Sequence, residues 1–149
     1  MITPMQITRK NVFKVLHELS NHYNIRLHFT ESMGKYDHGC ARYWVNSISI
    51  SKKQSSRSMI STFFHEMGHI YCFENGLWKS FHINKSIEDL TRSEALKYLR
   101  TALKAERWVD NWAKKEMKKH FAKMKYIPGY DSDQSGREFT NSIKKMIKI

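Results

Sequence analysis

The stretch ISTFFHEMGHIYCF, residues 60–73, decides how the rest of the chain is read. Its apolar positions Ile60, Phe63, Phe64, Met67, Ile70 and Tyr71 recur at steps of three and four, the spacing of a helical face. Asn75-Gly76 supplies a stop, so a helix is expected from about Ser56 to Glu74. On that helix His65 and His69 stand four residues apart, which puts both imidazoles on one face and within reach of one ion. Glu66 is turned about 100° from His65, out of ligand position but able to reach a water on that ion. A zinc ion held this way lowers the pKa of its water to about 7, and the carboxylate takes the proton. This is the mechanical content of the H-E-x-x-H pattern. It assigns Zn²⁺ as cofactor, His65 and His69 as ligands and Glu66 as general base.

The pattern alone is weak, because a random chain with 8 His and 9 Glu in 149 residues contains it about once in forty. The same chain holds a decoy in His17-Glu18-Leu19-Ser20-Asn21-His22, whose histidines are five apart and about 140° out of phase on a helix. That pair reads as surface. What separates the two is a third ligand, which a catalytic zinc site requires. Two residues compete for the place. Glu106 has Asp110 four residues on, where a second carboxylate can orient a ligating histidine. His82 lies thirteen residues after His69 and is the alternative ligand. Glu106 is favoured because it brings its own orienting partner and leaves Trp108, Val109 and Trp112 to pack.

Outward from this centre, residues 9–22 place Val12, Phe13, Leu16 and Leu19 on one face of an N-terminal amphipathic helix. Ile25, Leu27 and Phe29 alternate with polar residues as in a strand, and residues 31–42 read as a polar, glycine-bearing connection. A second strand is expected from Tyr43 to about Ser51, paired with the first. Thr91 and Glu94 form a capping box ahead of a long helix running to about Lys125. Pro128-Gly129 and residues 131–136 break the chain before a C-terminal helix through Phe139, Ile143, Met146 and Ile147. The fold class is therefore α+β, in one domain spanning residues 1–149, a length that can bury a core without staples.

Composition narrows the setting. No apolar run approaches bilayer length and no leader pattern opens the chain, so a cytoplasmic protein without a membrane partner is expected. Cys40 and Cys72 are too few and too far apart for a disulfide framework, and Cys72 reads as a small core residue. The formal charge of +12 suits nucleic acid or acidic partners, although lysine tracts such as KKEMKKHFAKMK (114–125) commonly serve only as a solvated face.

At this point the residues resemble a family. HEMGH followed by Glu106-x-x-x-Asp110 is similar to the gluzincin metallopeptidases, in which a glutamate is the third zinc ligand. The stretch Glu106-Arg-Trp-Val109-Asp-Asn-Trp112-Ala113 further resembles the E-x-x-A-x-x-F-A stretch of the ImmA/IrrE-type peptidases, with Val109 and Trp112 in place of alanine and phenylalanine. The resemblance covers residues 25–125. It implies a zincin-like core of a helix, a small sheet and two ligand-bearing helices, with His65, His69 and Glu106 as ligands, Glu66 as base and Asp110 as orienter. The expected activity is hydrolysis of peptide bonds in an intracellular protein.

Two other functions compete. The SprT-like proteases, which act near DNA, use a histidine as third ligand, which would be His82 here. A basic nucleic-acid or protein-binding module with a non-catalytic zinc site is the other. Peptide hydrolysis also calls for an oxyanion donor, for which His82 ranks ahead of Tyr71 and Tyr98. The segment Tyr43 to Ser51 is expected to offer the edge strand that holds an extended peptide.

Overall fold

The computed structural model describes residues 7–31, 38–76 and 89–127, together with Asn141 and Lys145. Of the expected C-terminal helix only Asn141 and Lys145, both helical, are described, and His82 lies outside the described residues. Within them the chain is a mixed α+β fold of three α-helices, a 3-10 turn and a three-stranded sheet. No described helix is long and apolar enough to cross a membrane.

Helix α1 (Val12–His22) buries Val12, Val15, Leu16 and Leu19, one face at helical spacing. Its entry is closed reciprocally: Thr8 Oγ1 accepts from the Asn11 amide at 3.3 Å, and Asn11 Oδ1 accepts from the Thr8 amide at 2.7 Å. The decoy histidines His17 and His22 are exposed on α1, as read. Asn24 adopts a left-handed φ of 57°, a conformation that asparagine tolerates, and turns the chain into β1 (Arg26–Thr30).

The second strand is shorter than expected and differently placed. Tyr43–Val45 forms the 3-10 turn, and the strand β3 begins only after Asn46, again left-handed at φ 49°, and spans Ser47–Ser51. The connection read as polar contains a strand of its own, β2 (Gly39–Arg42). The order is β1-β3-β2, with β1 parallel and β2 antiparallel to β3. β3 is therefore the central strand and is buried at every position, which a Tyr43–Ser51 edge strand could not be. The described edge nearest the second helix belongs to β2.

Helix α2 (Ser56–Glu74) has the bounds its periodicity indicates, and Ser55 caps it by accepting from the Ser58 amide at 3.1 Å. It is buried on almost all sides from Ser58 to Cys72 because the sheet, α1 and α3 all pack on it. Helix α3 (Arg92–His120) opens with the expected capping box: Thr91 Oγ1 accepts from the Glu94 amide at 3.2 Å, and Glu94 Oε1 accepts from the Thr91 amide at 3.3 Å. It stops at His120 rather than Lys125, and Phe121 is buried where the chain turns back. Val109, Ala113 and Met117 repeat at four-residue steps to form the ridge that enters the core.

That ridge comes closest at Gly68. A Cβ built there would lie 2.8 Å from Val109 Cγ1 and 3.2 Å from the Val109 carbonyl oxygen, so only glycine admits this approach of α3 to α2. An exposed helical Gly→Ala change stabilises by roughly 1 kcal/mol. Here overpacking of about 1–3 kcal/mol opposes it, and a backbone carbonyl cannot rotate aside as a side chain can. Gly68→Ala is expected to lower stability by about 1 kcal/mol in denaturant unfolding; a variant as stable as the parent would show that the helices separate freely.

Candidate metal centre

The close approach at Gly68 brings one turn of α3 against one turn of α2. His65 and His69 from α2 and Glu106 from α3 each offer a ligand atom, all within 4.8 Å of one another. His65 Nε2 lies 3.2 Å from His69 Nε2 and 3.2 Å from Glu106 Oε2, and His69 Nε2 lies 3.5 Å from Glu106 Oε1. Metal–ligand bonds of about 2.0–2.2 Å in tetrahedral geometry separate the ligand atoms by about 3.3–3.6 Å. The closest approaches are near that spacing, although those to Glu106 reach different oxygens of its carboxylate, and the three side chains could hold one small cation. Two nitrogens and a carboxylate form a donor set suited to a borderline ion.

Asp110 stands where the four-residue step from Glu106 places it. Its Oδ1 is 2.8 Å from His65 Nδ1, and because a carboxylate only accepts, Nδ1 carries a hydrogen and Nε2 is left to face His69 and Glu106. Burial of itself disfavours the His65 imidazolium, but the hydrogen bonds to Asp110 and Glu106 and the charge of Glu66 outweigh burial. They hold its pKa well above the ordinary 6.5. Burial likewise favours the neutral acid of Glu106, yet the hydrogen bonds with His65 and His69 hold that carboxyl far below its usual range. The cluster could hold a metal ion, and the shifts of His65 and Glu106 favour a positive charge between them.

Glu66 is buried beside His65, its side chain against the sheet. A Cβ on Gly39 of β2 would lie 3.3 Å from Glu66 Cγ and closer still to Thr62 Cγ2, so glycine in the edge strand makes room for the carboxylate. Gln54 fixes that strand. Its Nε2 donates to the His38 and Ser51 carbonyls, both at 2.9 Å, while Oε1 accepts from Ser58 Oγ at 2.6 Å and Thr62 Oγ1 at 3.1 Å. All four hydrogen-bonding positions of the amide are used, joining the start of β2, the end of β3 and the first turns of α2.

Of the residues read as candidates, His65, His69, Glu106 and Asp110 come together in one cluster, with Glu66 adjoining. Tyr71 is held elsewhere, stacked on Trp112 at 5.1 Å and Trp108 at 6.1 Å between ring centroids. The side chain of Tyr98 and all of His82 lie outside the described residues. Cys72 is buried as read, and burial raises its thiol pKa.

One residue was not singled out in the sequence. Tyr126, buried after α3, donates from its hydroxyl to Asp110 Oδ1 at 2.5 Å and lies 3.5 Å from His65 Nδ1. Burial, reinforced by the adjacent Asp110 charge, pushes its phenol pKa far up, so the hydroxyl remains a donor. A lone tyrosine beyond the end of a helix carries no spacing signal that would have revealed it. No known family, curated protein or solved structure matches the chain.

The cluster makes metal-free stability depend on pH. A raised His65 pKa contributes stability that is complete below the unfolded value of 6.5 and is lost as pH rises through the folded value. Depressed Glu106 contributes above its unfolded 4.5 and loses that contribution as pH falls through its folded value. Metal-stripped protein is therefore expected to melt at a lower temperature at about pH 9 than at about pH 6, with the difference reduced in His65→Ala. An undiminished difference in that variant would place its origin elsewhere.

Proposed function

We propose that the chain is a zinc-dependent endopeptidase with a zincin-like core, in which His65, His69 and Glu106 hold the metal and Glu66 is the general base. The observation that carries this reading is the convergence of one ligand atom each from His65, His69 and Glu106 to within 4.8 Å, together with Asp110 behind His65. Structural zinc sites are closed by four protein ligands, whereas three leave a position for substrate or water. Glu106 at the histidine pair supports the glutamate-ligand reading over one that uses His82.

Zinc bound there supplies Lewis-acid polarisation of a carbonyl and a water that ionises near neutral pH. The residues of the chain supply the rest. Asp110 keeps His65 in the tautomer that presents Nε2. Glu66, turned away from the ligand face, accepts the proton of the attacking water and returns it to the leaving amine. Glu66 is buried, with its Cγ beside Gly39 of β2. β2 pairs with β3 on one side, and among the described residues its other edge carries no strand. An extended peptide adds to such an edge through main-chain hydrogen bonds, which gives β2 the substrate-holding role first assigned to Tyr43–Ser51. Trp44 and Val45, 64% and 50% exposed directly after β2, offer apolar surface to substrate side chains. The substrate is a protein or peptide, and the proposed setting is cytoplasmic.

Glu66→Gln is expected to retain one equivalent of zinc and to lower cleavage of unfolded casein by about 10²–10⁴-fold. Glu106→Ala is expected to lose the zinc, while His82→Ala keeps it; metal content by atomic emission decides between the two ligands. Undiminished proteolysis by Glu66→Gln would rule out this mechanism.

A further inference from the structure

Tyr126 belongs to no part of the mechanism above, yet it is 7% exposed and its hydroxyl is directed at the carboxylate behind His65. Its placement depends on a separate hydrogen bond. Beyond α3 the chain turns at Phe121, where the Met124 amide donates to the Phe121 carbonyl at 3.2 Å. The Ile127 amide then donates to Ser61 Oγ at 3.0 Å. Ser61 lies on α2 one turn before His65, so the returning segment is fastened to the helix that carries the ligand. Tyr126 is inserted from there toward α3, with its ring in the core that α2 shares with α1 and the sheet.

The hydroxyl lies on the Nδ1 side of His65, at 3.5 Å, whereas Nε2 faces His69 and Glu106. In this arrangement Tyr126 is neither a ligand nor an oxyanion donor. It acts on the acceptor. Asp110 Oδ1 receives both the imidazole N–H and the phenol O–H, at 2.8 and 2.5 Å. A carboxylate on a single helix can rotate about its own side-chain torsions, and the imidazole it holds rotates with it. A second donor from a different segment removes that freedom. A hydrogen bond to an ionised acceptor is also roughly twice as strong as a neutral one.

We infer that Tyr126 is a positioning residue for the metal centre, which fixes the Asp110 carboxylate and through it the plane of the His65 imidazole. This rests on the metal reading above. It extends the supporting shell by one further residue: Tyr126 fixes Asp110, Asp110 fixes His65, and His65 binds the ion. Loss of such outer partners typically weakens metal affinity about 10–100-fold, and Tyr126, a step further out, falls at the lower end.

The test compares the full-length wild type with Tyr126→Phe, Asp110→Ala and the double variant. Zinc affinity is measured by competition with a chromophoric chelator, and the visible bands of the cobalt-substituted proteins report ligand geometry. Metal-free melting temperature and zinc affinity of Tyr23→Phe serve as the fold control, since that hydroxyl bonds Glu116 at 2.8 Å, away from the cluster. Tyr126→Phe is expected to bind zinc about tenfold more weakly with altered cobalt bands, and to add nothing further in the Asp110→Ala background. Tyr23→Phe is expected to lower the melting temperature without moving zinc affinity. Unchanged affinity and bands in Tyr126→Phe, or an equal loss on top of Asp110→Ala, overturns the inference while leaving the metal reading intact. A loss of zinc affinity in Tyr23→Phe as large as that in Tyr126→Phe also overturns it, by tracing the effect to general stability. A wild type that binds neither zinc nor cobalt overturns both.

Discussion

The contact between Gly68 and Val109 is the constraint on which the site depends. Two helices carrying ligands can share an ion only if their backbones approach closely, and the missing side chain at Gly68 permits it. The four-residue step of His65 and His69 on α2 then meets the four-residue step of Glu106 and Asp110 on α3. Each step spans about one helical turn, so the match is a consequence of helix geometry once the axes are near. With the axes apart, the same residues would be four separate polar groups on two amphipathic helices.

The electrostatics follow from that proximity. Bringing Glu106 and Asp110 against the buried His65 imidazole places negative charge where solvent is scarce, and such a charge must be paired. The cluster meets this need with a cation, which is a proton on His65 in the metal-free chain and a metal in the proposed enzyme. His65 and Glu106, both strongly shifted, face the shared position. A metal bound there would compete with the proton for the same lone pair, so its uptake would carry proton release with it.

Much of this was legible in the sequence where periodicity and spacing operate. The bounds of α2, the capping box at Thr91 and Glu94 and the pairing of Glu106 with Asp110 all rest on regular steps along a helix. The sheet was less legible. β2 is only Gly39-Cys40-Ala41-Arg42, poor in strand-forming residues, and it forms because β3 and α2 provide a surface for it. Tyr-Trp-Val at 43–45 has strong strand propensity but lies in a 3-10 turn, where Asn46 reverses the chain. The end of α3 was placed late because lysine-rich residues 122–125 do not mark a stop; burial of Phe121 and Tyr126 in the tertiary core does. Glu66 was read from the motif, but the glycine that makes room for it lies 27 positions earlier on another element.

The tie between Tyr126 and His65 joins positions 61 residues apart. In a chain made from its N-terminus, both histidines and Glu66 are synthesised before Glu106, Asp110 and Tyr126. Throughout that interval the histidine pair lacks both Glu106 and the acceptor that stands behind His65. The order of synthesis thus delays assembly of the cluster until nearly all of the core that supports it has been made.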